Sequence, residues 1–90
     1  MKILAILAAL FLSIGYGYAQ TYEKFVEKSF DFLDKNDLVS AEESLRAAMR
    51  LEPGNPNNYA LLMNLGTIQR RQGKLEDALL SYTAALSRHP

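Results

Sequence analysis

Residues 62–90 read LMNLGTIQRRQGKLEDALLSYTAALSRHP, and this stretch decides the fold. Leu62, Leu65, Gly66 and Gln69 recur at three- and four-residue steps, the spacing of one helix face. Gly73 ends that helix, because glycine takes the left-handed backbone found just past helix ends. Lys74 to Ser87 then forms a second helix, with Leu75, Ala78, Leu79, Tyr82, Ala85 and Leu86 on one side. Pro90 blocks its continuation, since the residue before proline is pushed out of the helical region. Upstream, Asn55-Pro56-Asn57-Asn58 breaks the chain, and Asn57 can cap the first helix through its side-chain oxygen.

The same pattern occurs earlier, displaced by 37 residues. Phe25 falls on Leu62, Ser29 on Gly66, Asn36 on Gly73, Leu38 on Leu75 and Ala41 on Ala78. Leu45 falls on Tyr82, Ala48 on Ala85, Met49 on Leu86 and Pro53 on Pro90. A period in the range of 20–50 residues signals stacked repeats. The first unit is again two helices. Thr21 caps the first, with Phe25, Ser29, Phe32 and Leu33 as its apolar side. Asn36 makes the turn. Asp37 caps a second helix through Leu51, with Leu38, Ala41, Leu45, Ala48 and Met49 facing inward. Small residues at the helix crossings let the axes approach to about 8 Å; Ser29 or Gly66 is expected to meet Ala41 or Ala78, with Phe25, Phe32, Leu45, Leu62, Leu65 and Tyr82 filling the space around them.

Leu62-x2-Leu65-Gly66-x2-Gln69, followed by Ala78-x3-Tyr82-x2-Ala85 and Pro90, resembles the tetratricopeptide repeat pattern W-x2-L-G-x2-Y…A-x3-F…A…P. Asn64-Leu65-Gly66 and Gln72-Gly73-Lys74-Leu75-Glu76-Asp77-Ala78 are especially similar to it. Leu62 stands for the tryptophan and Gln69 for the tyrosine; in the first unit Leu45 replaces the aromatic residue and Lys28 sits where the pattern has leucine. The resemblance covers residues 21–90. It implies an all-α fold of two antiparallel helical hairpins, residues 20–53 and 54–90, forming a short α-solenoid. The residues beyond a repeat of about 34 fall in Gly54–Asn58, where insertion is cheap.

The whole chain has 90 residues, and its 10 basic and 10 acidic side chains cancel. Fifteen of residues 1–19 are apolar, against 29 of the remaining 71. Met1-Lys2, the apolar run Ile3–Ile14 broken by Ser13, and Gly17-x-Ala19 have the three-part layout of a secretory signal peptide, with the cut expected after Ala19. An uncleaved anchor or a buried N-terminal helix is the alternative, but a spanning helix needs about 20 apolar residues and two glycines interrupt the segment. The expected location is therefore periplasmic or secreted, with membrane contact limited to export. The chain has no Cys, which removes disulfides and a thiol nucleophile.

Little in the sequence suggests catalysis. His89 is the only imidazole and sits at the chain end, so no metal site is expected. Ser81 or Ser87 with Asp77 and His89 lacks a nucleophile elbow or oxyanion loop. Glu42-Glu43 and Glu76-Asp77 are adjacent carboxylates that do not face each other on a helix, and are read as solvated; Glu42 and Arg46 are spaced as an i,i+4 ion pair. Phosphate-loop motifs are absent, no cofactor is expected, and the balanced charge argues against nucleic acid.

The charge is nevertheless uneven. Residues 20–53 hold 5 basic and 8 acidic side chains, and residues 54–90 hold 4 and 2. Arg70, Arg71 and Lys74 form the one basic cluster. This bias is ordinary surface charge, the mark of a binding groove, or a basis for head-to-tail self-association. The resemblance implies a non-catalytic protein–protein interaction module whose first helices line a concave surface for a peptide or partner segment. The groove candidates are Val26, Phe30 and Leu33 in the first unit and Met63, Asn64, Thr67, Arg70 and Arg71 in the second. Asn64 alone is similar to one element of the carboxylate clamp of some tetratricopeptide domains, and the other clamp positions are not matched. Alternatives are the N-terminal portion of a longer exported enzyme or assembly factor, and a membrane-tethered scaffold. Leu79, Leu80 and Leu86 are expected to be partly exposed on the last helix, where self-association could occur. Two repeats are few for a stable stack.

Overall fold

The computed structural model describes residues 20–88. The signal-peptide reading of residues 1–19 and the readings of His89 and Pro90 lie outside them. Four helices follow in order: α1 (Tyr22–Asp34), α2 (Leu38–Leu51), α3 (Asn58–Arg71) and α4 (Leu75–Arg88). Among the described residues no helix is long and apolar enough to cross a membrane.

The helix ends follow from local chemistry. The Lys24 amide donates to Thr21 Oγ1 at 3.1 Å and the Ser40 amide to Asp37 Oδ1 at 3.1 Å, so both expected caps form. Asn36 has φ 58° and Gly73 φ 80°, so both expected left-handed turns form as well. The cap expected at Asn57 does not. Its backbone is already helical and its side chain makes no cap bond. Instead Asn55 Oδ1 accepts from the Asn57 amide at 2.8 Å, and the asparagine with a structural role is Asn58.

α1 packs on α2 and α3 on α4 as antiparallel hairpins, and α2 packs on α3 to stack one hairpin on the other. The central core draws on three helices: Tyr22 from α1, Ala41, Leu45 and Ala48 from α2, and Leu61, Leu65 and Ile68 from α3. Leu61 and Ile68 lie outside the expected stripe of α3. They are buried because α3 has two apolar sides, one toward α4 and one toward the first hairpin. Phe25, Val26, Phe32, Leu33, Leu38, Met49 and Leu62 close over this core from its edges.

The second hairpin closes on a close approach. A Cβ placed on Gly66 would lie 2.7 Å from Tyr82 Cε1, so the tyrosine ring, rather than Ala78, occupies the space a larger residue would need. Ala78, Ser81 and Ala85 form the buried side of α4. Leu75, Leu79 and Leu86, expected on that inward side, are 66%, 66% and 71% exposed. Among the described residues Leu79, Leu80 and Leu86 are exposed, matching the partial exposure expected of them on α4.

Candidate functional site

Polar latches hold the two hairpins in register. Tyr22, the first residue of α1, donates its hydroxyl to Asn58 Oδ1, on the first residue of α3, at 2.8 Å. Asn58 is fully buried and its amide nitrogen donates to the Glu52 carbonyl at 2.8 Å, so the bond pins α3 to both α1 and the end of α2. Burial raises the Tyr22 phenol above its ordinary pKa, and the charges of Glu52 and Glu23 add to this. At the other end, Arg71 Nη2 donates to Asn36 Oδ1 at 3.0 Å. With both pairs of ends tied, α1 and α3 run side by side and parallel, and their outer sides share one face.

The third latch overturns a sequence expectation. Glu42 is buried rather than solvated, with 7% of its surface exposed. Its Oε2 accepts from Arg46 Nη2 at 2.9 Å and Nε at 3.1 Å; its Oε1 accepts from Gln72 Nε2 at 2.8 Å and Lys74 Nζ at 3.2 Å. Gln72 and Lys74 belong to the α3–α4 turn, which only the stacking of the second hairpin brings here. Burial alone would raise this carboxyl, but the hydrogen bonds from Gln72, Arg46 and Lys74 outweigh it and lower the pKa to about 2. Beside it, the buried Gln69 amide turns its oxygen to Arg46 Nη2 (3.1 Å) and its nitrogen to Ser81 Oγ (2.6 Å) and the Asp77 carbonyl (3.0 Å), an orientation assigned from the surrounding network. Ser81 is thus committed to holding α4 against α3.

The basic cluster expected at Arg70, Arg71 and Lys74 is divided among three tasks. Lys74 meets Glu42 and Arg71 meets Asn36. Arg70 lies beside Tyr82, whose hydroxyl is 2.9 Å from Thr67 Oγ1; that bond, and then the nearby arginine, lower the phenol below its ordinary pKa.

The groove candidates divide by depth. Val26 and Leu33 are half-buried against the core, so they support α1 from beneath. Phe30 is 49% exposed and Met63 41% exposed, and Arg70 and Arg71 are also at the surface. Asn64 and Thr67 are half-buried. Phe30 and Met63 are therefore the apolar contacts this face offers, with the two arginines at the C-terminal end of α3. Among the described residues no group of three or more His, Cys, Asp or Glu side chains is placed to hold a metal ion. Asn58, Glu42 and Gln72 were not legible as site residues.

Helical hairpins stacked in series, with parallel first helices sharing a face, define an α-solenoid, an architecture that presents an extended surface. No protein-family model matches the chain, and no curated protein matches it. A crystal structure of a tetratricopeptide repeat protein from Parabacteroides merdae ATCC 43184 does: it is 76% identical over 76% of this chain, with a TM-score of 0.74. The chain belongs to the tetratricopeptide repeat family. It spans 27% of the length of the Parabacteroides chain.

Proposed function

We propose that this protein acts outside the cytoplasm, as a non-catalytic scaffold that holds a segment of a protein partner on the face shared by α1 and α3. The carrying observation is that face itself: exposed Phe30 and Met63 are backed by a packed core and flanked by Arg70 and Arg71. A matching segment has an apolar anchor for Phe30 and Met63 and an acidic residue for the arginines. Nucleic acid is not a fitting partner, because α1, which runs beside α3, carries four acidic side chains (Glu23, Glu27, Asp31 and Asp34). The signal-like segment, Met1 to Ala19, supports export, and a mature N-terminus at Gln20 in mass spectrometry is the expected result; an intact Met1 in the envelope fraction would favour a membrane-tethered scaffold. The greater length of the Parabacteroides chain supports a second reading, in which the same two hairpins are the interaction portion of a longer exported enzyme or assembly factor.

Site-specific photo-crosslinking in an envelope fraction tests the face. A photoreactive residue at Phe30 or Met63 is expected to capture a discrete protein, and one at Val39, on the exposed side of α2, is not. Arg70→Glu is expected to abolish capture with the helical circular dichroism unchanged. Equal capture at Val39, or none at either groove position, would refute the reading.

A further inference from the structure

On the side of the stack away from the α1/α3 face, α2 and α4 run parallel and leave a groove of about 270 Å³ between them. Leu62 of α3 is its floor, Met49 of α2 is one wall, and Leu80 and Ala84 of α4 are the other. Met49, Leu62 and Ala84 are half-buried, while Leu80 is 68% exposed. Floor and walls all belong to the two described hairpins. The repeat also shows that an element stacked on α4 would leave Leu80 uncovered. Displaced by 37 residues, Leu80 is Glu43 and Ala84 is Ala47, and Glu43 stays exposed although the second hairpin is stacked on α2. This position therefore lies off the stacking side of its helix. A glutamate there is an ordinary solvated residue, whereas a leucine there extends an apolar floor out to the surface.

The charges along the groove are unequally committed. Arg46 is held by Glu42, whose Oε2 accepts from both its Nη2 and its Nε, and by the oxygen of Gln69. Asp77 lies one turn before Leu80 on the same wall, and its carboxylate makes no ion pair or hydrogen bond among the described residues. The uncommitted charge of the groove is thus negative, and its complement is a cation. A volume of about 270 Å³ falls below the ~300–1,000 Å³ typical of small-molecule sites, so the space suits side chains of a larger partner. The groove is built from helices, whose backbone groups bond internally, so it offers an extended segment no edge to pair with. A helix laid along it instead presents side chains at i, i+3 and i+4.

We infer that this groove docks an amphipathic helix of a partner protein, with an apolar residue seated between Met49 and Leu80 and a lysine or arginine one turn away on Asp77. The contact is separate from the α1/α3 face. One molecule then holds two partner segments at once, one on each side of the stack.

Fluorescence anisotropy with the mature chain and two labelled helical peptides is the test. Each peptide carries two leucines spaced i,i+3 and, one turn away, a lysine in the first and a glutamate in the second, in a background of alanine and glutamine. The lysine peptide should bind, and the glutamate peptide should bind more weakly. Asp77→Lys should reverse that order. Leu80→Glu should weaken the lysine peptide by roughly tenfold or more with unchanged helical circular dichroism, since the first unit carries glutamate at the equivalent position. Leu79→Glu, on the stacking side of α4, and Phe30→Glu, on the α1/α3 face, should bind it as the unmodified chain does. No binding of the lysine peptide, equal binding of the two peptides, or undiminished binding by Leu80→Glu would overturn the inference. So would a loss in Leu79→Glu or Phe30→Glu, which would place the peptide at the end of the stack or on the α1/α3 face.

Discussion

Glu42→Gln is the substitution that most directly probes what joins the hairpins. The side chain keeps its size and one acceptor oxygen, but the other becomes a donor NH2 and the charge that organises Arg46, Gln72 and Lys74 is lost. Glu42 has an ordinary pKa of 4.5 that folding lowers to about 2, so the upper limit of its charge-dependent contribution is roughly 3 kcal/mol. The expected loss at neutral pH is smaller, about 1–2 kcal/mol, because the Arg46 and Lys74 side chains are 47% and 45% exposed and regain water when the carboxylate goes. For a domain of this size that corresponds to a drop of about 4–16 °C in Tm.

The pH dependence carries the sign. A carboxyl whose pKa is lowered by folding stabilises the folded state fully above its unfolded value, and that stability fades as pH falls toward the folded value. The gap in urea midpoint between the unmodified chain and Glu42→Gln should therefore be constant above about pH 5 and close progressively between about pH 4.5 and pH 2. Comparing the two proteins at each pH cancels the other carboxylates, including Asp37, whose bond from Ser40 also lowers its pKa. A gap that stays constant down to pH 3, or no gap at neutral pH, would show that Glu42 does not join the hairpins through its charge.

The remaining predictions concern packing. Gly66→Ala should destabilise the chain by about 1 kcal/mol, since the clash with the Tyr82 ring exceeds the gain in helix propensity; in a Tyr82→Ala background the same change should instead stabilise by about 1 kcal/mol, as a urea double-mutant cycle would show. Tyr22→Phe removes the donor to buried Asn58 and should cost about 1–3 kcal/mol, with hydrogen exchange rising first at the start of α3. Ala78→Leu should cost roughly 1–3 kcal/mol by overpacking, and an unchanged urea midpoint would contradict the hairpin contact.

Much of the fold was legible because short-range chemistry specifies it. Thr21 and Asp37 cap helices through a bond three residues away, and Asn36 and Gly73 take a left-handed backbone that few residues tolerate. Ala41, Ala48, Ala78 and Ala85 recur because all four are buried where helices pack closely and a small side chain is needed. The cap expected at Asn57, among Asn55, Asn57 and Asn58, was misassigned for the opposite reason. Which one caps and which is buried depends on Tyr22, which lies 36 residues from Asn58. The groove candidates were placed on the right helices, but α3 is apolar on two sides, and helical spacing alone does not say which side meets a neighbouring hairpin.

What was missed has a common cause. Equivalent residues that resemble one another, such as Ala41 and Ala78, report contacts inside a hairpin, since each hairpin must make them. Equivalent residues that differ report contacts between hairpins, since the two ends of a stack are not equivalent. Glu42 looked solvated beside Glu43, yet its counterpart is Leu79, and a position that tolerates leucine in one repeat is an interface position in the other. Lys24, Lys28 and Asp31 against Leu61, Leu65 and Ile68 carry the same information with the sign reversed: charged where they are exposed on α1, apolar where α3 joins the first hairpin. The mismatches between the two units thus locate the stacking surfaces, and they do so from residues that a search for repeat similarity discards.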